Sequence, residues 1–588
     1  MVHPAVRKEV AFHGTYKNFK IVEHPGRFFA IPGNLPEFDA RDRRRLNRHP
    51  AVLTARTQKD LESLIDKSDL TTFRPEPLGK FENFELFRFS GRIYAIPENL
   101  PTLDLSWPED REREGVLSAE TLEAIRDRIR AYRAAVPVEF AGWLPIFKKF
   151  GDCGTHPQFA HVNNPPAGYR FVQSVPSAKN PRPQGGYRWF NPLIWVAVLF
   201  RSLAALLRPL HAVLINCWLF GPVRCFLVLC TFLRLYWQFI QLGAGIRQAF
   251  QFLRSRHFRS QLLLPSNSEL VFLTSVPYTY GQKPWIIEIE DTTSLFFPFI
   301  ENGTTYVGDL RQSPYFPMVK ALLESESCRG IVTHIRSTAR SLPVLFGSEK
   351  IARKTSYVPL GVRLPENWQK QEPGDHVDLL FTNSWHQNPN GFFLRGGLDV
   401  LEAFAILKER YPQVRLTMRS SIPGWLDERY YKIIERGWVR VFSHFLPADE
   451  LDDLQCRSHV YLLPAARVHI VSLLQAMSYG QAVVTSDGWG IQEYVTHGRN
   501  GLIVPGRHGK VSWMDEKTGI LRENYKLMEE PDPQVVEGLV EAVSRLIEDE
   551  ALRQTLGQNA RADVENVYNL EQWNRGLQMA FDRSRSGT

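Results

Sequence analysis

The sequence predicts two doubly wound α/β domains preceded by a duplicated, small strand-rich module. Three observations carry that prediction. Beyond residue 269 short apolar runs alternate with amphipathic helical patterns. Before residue 150 a gapless repeat is present, and between the two regions lies a stretch without a single acidic residue. At 588 residues the chain exceeds what one core holds, and 44% hydrophobic with 23% charged residues is a globular composition.

The repeat comes first. Asn18–Asp39 realigns with Asn83–Asp104 at an offset of 65, with 11 of 22 positions identical, among them Gly26/Gly91, Pro32/Pro97 and Asp39/Asp104. Each copy reads as a strand, a Gly-Arg turn, a second strand and a Pro-bounded exit, followed by a charged helical segment (TQKDLESLID and SAETLEAIRDRIRAY). Two copies are too few for a solenoid. Residues 1–75 and 76–150 are therefore expected to be two copies of one module, either a docking element or a structural appendage.

From Cys153 to Ser268 there are eleven Arg, one Lys and no Asp or Glu, more positive charge than the whole chain's net +8. The centre, 189–260, is rich in Leu, Val, Phe and Trp, with Pro209 and Gly221-Pro222 breaking it into short pieces. That mixture predicts helices lying in the plane of an anionic membrane, with Arg reaching lipid phosphates. Transmembrane passes and helices buried against the rest of the protein are the alternatives. The first residues contain no apolar signal-peptide core. Six cysteines without a C-x-x-C pair form neither a disulfide framework nor a zinc site. A cytoplasmic protein, peripheral or monotopic at the inner face of the cell membrane, is expected.

From Glu269 the strand candidates are LVFLTSV, WIIEIE, GIVTHI, TSYVPL, VDLLFTN, VRLTMRS, VRVFSHF, HVYLLPA and AVVTSDG. Helical patterns lie between many of them, which argues for parallel sheets. PLGVRLPE reads as a linker, so the expected domains are 151–365 and 366–588. In the second, the helix starting near Val471 or Ser472 directs free N–H groups at the preceding loop, a seat for phosphate. Gly488 and Gly490 are expected to let backbone approach a ligand.

The stretch around that helix resembles the donor-binding signature of glycosyltransferase family 4. The matching residues are Ala476, Met477, Gly480, Val483, Val484, Ser486, Asp487, Gly490, Glu493, Gly498, Asn500 and Gly501. Arg395 stands where a Lys usually precedes Gly, GIVTHIRSTARSL and TSYVPLGV resemble the end of the family's N-terminal domain, and VYNLEQWNRGLQMAF resembles its closing helix. The resemblance spans roughly residues 265 to 588. It implies a GT-B fold of two Rossmann-like domains and a retaining hexosyltransferase. The donor would be a nucleotide diphosphate sugar and the acceptor a saccharide, lipid-linked or membrane-presented, as in polysaccharide biosynthesis. No cofactor or metal is demanded.

One departure stands out. The family usually has two glutamates eight positions apart at the start of the donor helix, and here those positions are Arg467 and Gln475. A Gln amide still hydrogen-bonds ribose hydroxyls, whereas Arg reverses the charge near the donor sugar. A donor sugar bearing a carboxylate, a rearranged role for His469, or loss of catalysis would each account for it.

The chemistry requires the diphosphate charge to be held by cations and oriented N–H groups. Arg395 is the first candidate, with Arg419, Arg467, His469, Ser472, Gln475, Gly490 and Glu493 completing the donor side. In WIIEIEDTTSLFFPF, alternation puts Glu288 and Glu290 on one face and Asp291 at the carboxyl end of the strand, where a carboxylate can orient or deprotonate an acceptor hydroxyl. The catalytic candidates are thus Asp291, Arg395 and Glu493, with His156, Glu290 and His334 on the acceptor side. A non-catalytic sugar-nucleotide or glycan binder is the rival reading. Nucleic-acid binding is not expected, because the aromatics of the basic stretch are interleaved with Leu and Val rather than spread over a polar surface.

Overall fold

The computed structural model describes residues 11–32 and 52–67 with short gaps, 75–98, 115–141, 165–173, 268–274, 284–296, 305–313, 316–365, 376–383, 390–443 and 448–586. Isolated positions (46, 103, 105, 111, 446 and eleven between 222 and 250) are also described. His156 and most of 189–260 lie outside these residues. The chain divides into two compact units, with Met1–Ala135 in the first and the bulk of Val136–Thr588 in the second.

The first unit contains two four-stranded antiparallel sheets. One is β1 (Ala11–Tyr16), β2 (Phe19–His24), β3 (Arg27–Pro32) and β4 (Leu53–Ala55), followed by helix α1 (Gln58–Lys67). The other is β5 (Glu76–Phe81), β6 (Phe84–Phe89), β7 (Arg92–Pro97) and β8 (Leu117–Ala119), followed by α2 (Leu122–Ala134). Alternation along the central strands explains the packing. Phe19, Ile21 and Ala30 meet Leu61 and Ile65 of α1, and Phe84, Leu86, Ile93 and Ala95 meet Ile125 and Ile129 of α2. In both helices the anchors are four apart, one turn on the same face. The sequence shows only the middle hairpin of each sheet; the outer strands have too little alternation to be read.

The second unit holds two six-stranded, all-parallel sheets. The first comprises β9 (Val136–Ala141), β10 (Tyr169–Gln173), β11 (Leu270–Thr274), β12 (Trp285–Ile289), β13 (Cys328–Thr333), helix α3 (Arg336–Phe346) and β14 (Thr355–Tyr357), in the order β10-β9-β11-β12-β13-β14. It begins at Val136, inside the span read as the second module copy. Its central strands, LVFLT and WIIEI, are buried throughout, as strands covered on both faces must be.

The second sheet comprises β15 (Val377–Thr382), helix α4 (Gly397–Arg410), β16 (Val414–Arg419), β17 (Val439–Val441), β18 (Val460–Leu463), helix α5 (Ile470–Ser478), β19 (Ala482–Ser486) and β20 (Leu502–Val504). Its order, β17-β16-β15-β18-β19-β20, reverses direction between β15 and β18. That reversal is the switch point at which doubly wound sheets bind ligands. All nine strand candidates read from the sequence after residue 269 are strands.

Two further elements join the domains. Hairpin β21 (Ser512–Asp515) and β22 (Ile520–Glu523) reaches the first domain, where Tyr306 and Glu523 exchange backbone hydrogen bonds of 2.7 Å and Ile520 joins the core of β11–β13. The last helix, α6 (Leu570–Ser586), returns to the first sheet: Phe581 packs on Tyr169, Phe171 and Phe272, and Tyr169 donates to Asp582 at 2.5 Å. The expected linker is no free tether, because Val358, Leu360 and Val362 are buried and Val362 bridges Asn569.

Candidate functional site

The switch point of the second sheet brings Arg395 and α5 together. Arg395 follows the short helix Asn390–Leu394 and precedes Gly396, whose left-handed φ of 77° turns the chain into α4. Its Nη1 donates to the Thr382 carbonyl at the end of β15 (3.2 Å) and to Ser472 Oγ in the first turn of α5 (2.9 Å). Nε is buried and unpartnered among the described residues, and no described carboxylate lies within ion-pairing distance of this guanidinium. Burial holds its pKa below the ordinary arginine value, with Arg419 adding to the effect. A buried cation at a helix N-terminus, with no counter-ion among the described residues, is an arrangement that suits an anion. Arg419 ends β16 beside it and donates to the Asn383 carbonyl at 3.3 Å.

His469 is the N-cap residue of α5. Burial, then the charges of Arg395 and Arg467, push its pKa well below the ordinary value, so the imidazole is neutral near pH 7. Its Nε2 is buried and has no partner among the described residues. Gln475 lies on the same helix, half-buried, where its carbonyl accepts from Ser478 Oγ at 2.7 Å.

Arg467 faces the other way. Nη2 donates to Asp291 Oδ2 of the first domain at 2.6 Å and Nη1 to Glu523 Oε1 of the hairpin at 2.9 Å, with Glu290 Oε2 at 3.9 Å. Asp291 is fixed in turn by the backbone N–H groups of Thr293 (2.7 Å) and Ser294 (3.0 Å). Burial alone would raise the Asp291 pKa, but Arg467 and Thr293 outweigh it and hold the carboxyl below the usual range. Burial raises both Glu290 and Glu523, with Arg467 opposing. Arg467 is therefore already matched by carboxylates.

Two sequence expectations change with the geometry. Glu493 is engaged elsewhere: its carboxylate accepts from the N–H groups of Arg336 (2.5 Å) and Ser337 (3.0 Å), capping α3 of the first domain from the second. A carboxylate there satisfies orphan donors and the helix dipole, which makes it a domain-joining cap. Gly488 makes its close approach to protein backbone rather than to a ligand, since a Cβ there would stand 2.5 Å from the carbonyls of Ala465 and Ala466. Gly490 does turn the loop, with φ of 79° and Val468 2.9 Å from an added Cβ.

His334 and Glu288 are fully buried. Imidazole Nε2 lies 3.3 Å from Glu288 Oε1, and Nδ1 is 2.9 Å from the Val358 carbonyl. His334 is thus held inside the first sheet by the Val358 carbonyl on one side and the Glu288 carboxylate on the other.

The structure thus gathers Arg395, Ser472, His469 and Arg419 on one side and Glu290, Asp291 and Arg467 on the other. Sequence reasoning missed Glu523, Tyr525 (which donates to Glu523) and Trp489, whose ring lies 6.0 Å from the Arg467 guanidinium. The Asp-Glu-Lys-Thr-Gly turn between two short apolar pairs was the available signal for the hairpin. Among the described residues no group of three His, Cys, Asp or Glu is arranged to hold a metal ion.

Residues 394–522 match the model of the family described as glycosyl transferases group 1. The matched segment, less than half of the chain, is similar to that family. It lies within the second of the two doubly wound domains, an arrangement that fits the GT-B architecture expected from the sequence. No curated protein matches the chain. Among solved structures, similarity is found to Anabaena Alr3699/HepE in complex with UDP and glucose, at 15% identity and a TM-score of 0.37, over 54% of this chain and 78% of that one. Sucrose-phosphate synthase from Thermosynechococcus elongatus gives 16% identity and a TM-score of 0.38, over 58% and 77%. A glycosyltransferase from Rickettsia africae gives 10% and 0.41, over 77% and 99%.

Proposed function

We propose that this group 1 segment makes the chain a retaining hexosyltransferase that takes sugar from a nucleotide diphosphate donor. The observation that carries the reading is Arg395: a buried guanidinium with no carboxylate partner among the described residues, hydrogen-bonded to Ser472 at the N-terminus of α5, at the switch point of a parallel sheet. A diphosphate supplies the charge this arrangement lacks, and as a leaving group it gains negative charge as the glycosidic bond breaks, so the same contacts strengthen toward the transition state. Neutral His469 adds a polar contact without competing for that charge. Glu290 and Asp291, at the carboxyl end of β12, are the groups placed to orient an acceptor hydroxyl.

The acceptor is a saccharide presented at an anionic membrane. Support comes from the acid-free stretch and from Val223, Phe226, Leu233 and Trp237, which are helical and exposed. No helix among the described residues is long and apolar enough to cross a membrane. Flotation with anionic vesicles and failure to float with neutral ones is the expected result; failure with both removes the membrane reading.

The activity test incubates the purified chain with UDP- and GDP-sugars and follows release of nucleoside diphosphate. Slow release from one donor, lost in Arg395→Met, is expected. Saturable donor binding without release, even with lipid-linked acceptors present, would favour a non-catalytic binder.

A further inference from the structure

We infer that the donor sugar is an uncharged hexose, whose hydroxyls are read by His469 and Trp489, and that the carboxylates around Arg467 exclude a uronic acid. The inference rests on the donor-site reading above and narrows it to a substrate class.

Arg467 is the residue a sugar carboxylate would seek, since guanidinium and carboxylate pair through two parallel hydrogen bonds. Both of its terminal nitrogens are already taken, by Asp291 at 2.6 Å and by Glu523 at 2.9 Å. Neither partner is free to swing away. Asp291 is held by two backbone N–H groups, and Glu523 accepts from Tyr525 while its main chain is paired to Tyr306. Glu290 stands 3.9 Å from Arg467 as a third acid, and its own carbonyl is fixed by the hydroxyls of Thr338 (3.0 Å) and Thr333 (3.4 Å). A fourth carboxylate brought to this guanidinium would meet three of its own sign. Arg395 cannot serve it instead, because the diphosphate uses that charge.

What remains at the same place is neutral and unsatisfied. Loops 466–468 and 489 run side by side, with Val468 N–H donating to the Trp489 carbonyl (2.8 Å) and Trp489 N–H to the Ala466 carbonyl (3.1 Å). They set Trp489 opposite Arg467, with His469 two residues beyond Arg467 in the chain. His469 Nε2 and Trp489 Nε1 are both buried without a hydrogen-bond partner among the described residues. Buried polar nitrogens find partners in a working complex. A neutral imidazole and an indole N–H match hydroxyl groups, and an indole face suits the apolar C–H face of a sugar ring.

Equilibrium titration of the full chain with UDP, UDP-glucose and UDP-glucuronate, and in parallel with GDP, GDP-mannose and GDP-mannuronate, tests this. The neutral sugar nucleotide is expected to bind at least about tenfold more tightly than its matched uronate. Glu290→Gln should narrow that gap. Trp489→Phe, which keeps a ring and removes the N–H, should weaken the neutral sugar nucleotide several-fold and leave the bare nucleoside diphosphate unchanged. A uronate bound equally or more tightly overturns the inference, as does a Trp489→Phe effect equal for nucleotide and sugar nucleotide; in both cases the donor site itself stands. If no member of either series binds, the donor-site reading falls and this inference with it.

Discussion

The carboxyl ends of the two parallel sheets differ in charge. The end of β12 supplies Glu288, Glu290 and Asp291, all acidic, whereas the ends of β15, β16 and β18 lead to Arg395, Arg419, Arg467 and a neutral His469. The difference is sharpened by what each side does with its charge. Asp291 spends its charge on Arg467 across the domain boundary, while Arg395 keeps its own without a described counter-ion. The Asp291–Arg467 pairing joins the domains; Arg395 has no counter-ion among the described residues.

Three perturbations probe that asymmetry. Arg467→Met should have the largest effect, because it leaves Asp291 and Glu523 buried without their cation. A loss of about 3–5 kcal/mol is expected, read from denaturant unfolding; a midpoint unchanged from the parent would show the pairing to be dispensable. Glu493→Gln should cost about 1 kcal/mol, since an amide oxygen still accepts from the N–H groups of Arg336 and Ser337 but lacks the charge. Thermal denaturation should show a shift of a few degrees, and destabilisation on the scale of Arg467→Met would contradict the simple capping role.

The smallest effect concerns pH. Burial raises the Glu290 pKa above its ordinary 4.5. A raised folded-state value means that the folded state binds the proton more tightly. The contribution is therefore fully present below about pH 4.5 and lost as pH rises through the raised value. Relative to Glu290→Gln, the parent chain should lose stability from pH 4.5 towards neutrality; a difference independent of pH would mean that Glu290 titrates as a free carboxylate.

Much of the donor side was legible. Arg395 followed by Gly-Gly at a helix start, and the apolar strands beginning at Val460 and Ala482, are local patterns, and they form the elements read from them. Arg467 shows where local reading stops. Its charge reversal was visible, but its partners Asp291 and Glu523 lie 176 and 56 residues away, and no periodicity links them. The same holds for Glu493, whose capped helix is 157 residues upstream. Strand β9 was missed for a different reason: VPVEFA mixes Pro and Glu into an apolar run directly after a charged helix. It becomes a strand by pairing with β10 and β11, the latter more than a hundred residues later in the chain.

The central claim is that Arg395, which has no counter-ion among the described residues, receives a nucleotide diphosphate. Its most direct test is calorimetric titration of UDP and GDP into the parent chain and into Arg395→Met, with folding of both checked by circular dichroism. Saturable binding of one nucleotide by the parent, weakened about 100-fold in the variant, is predicted, the loss of roughly 2–3 kcal/mol belonging to a charge-assisted contact in a buried site. Equal binding by both folded proteins would contradict it.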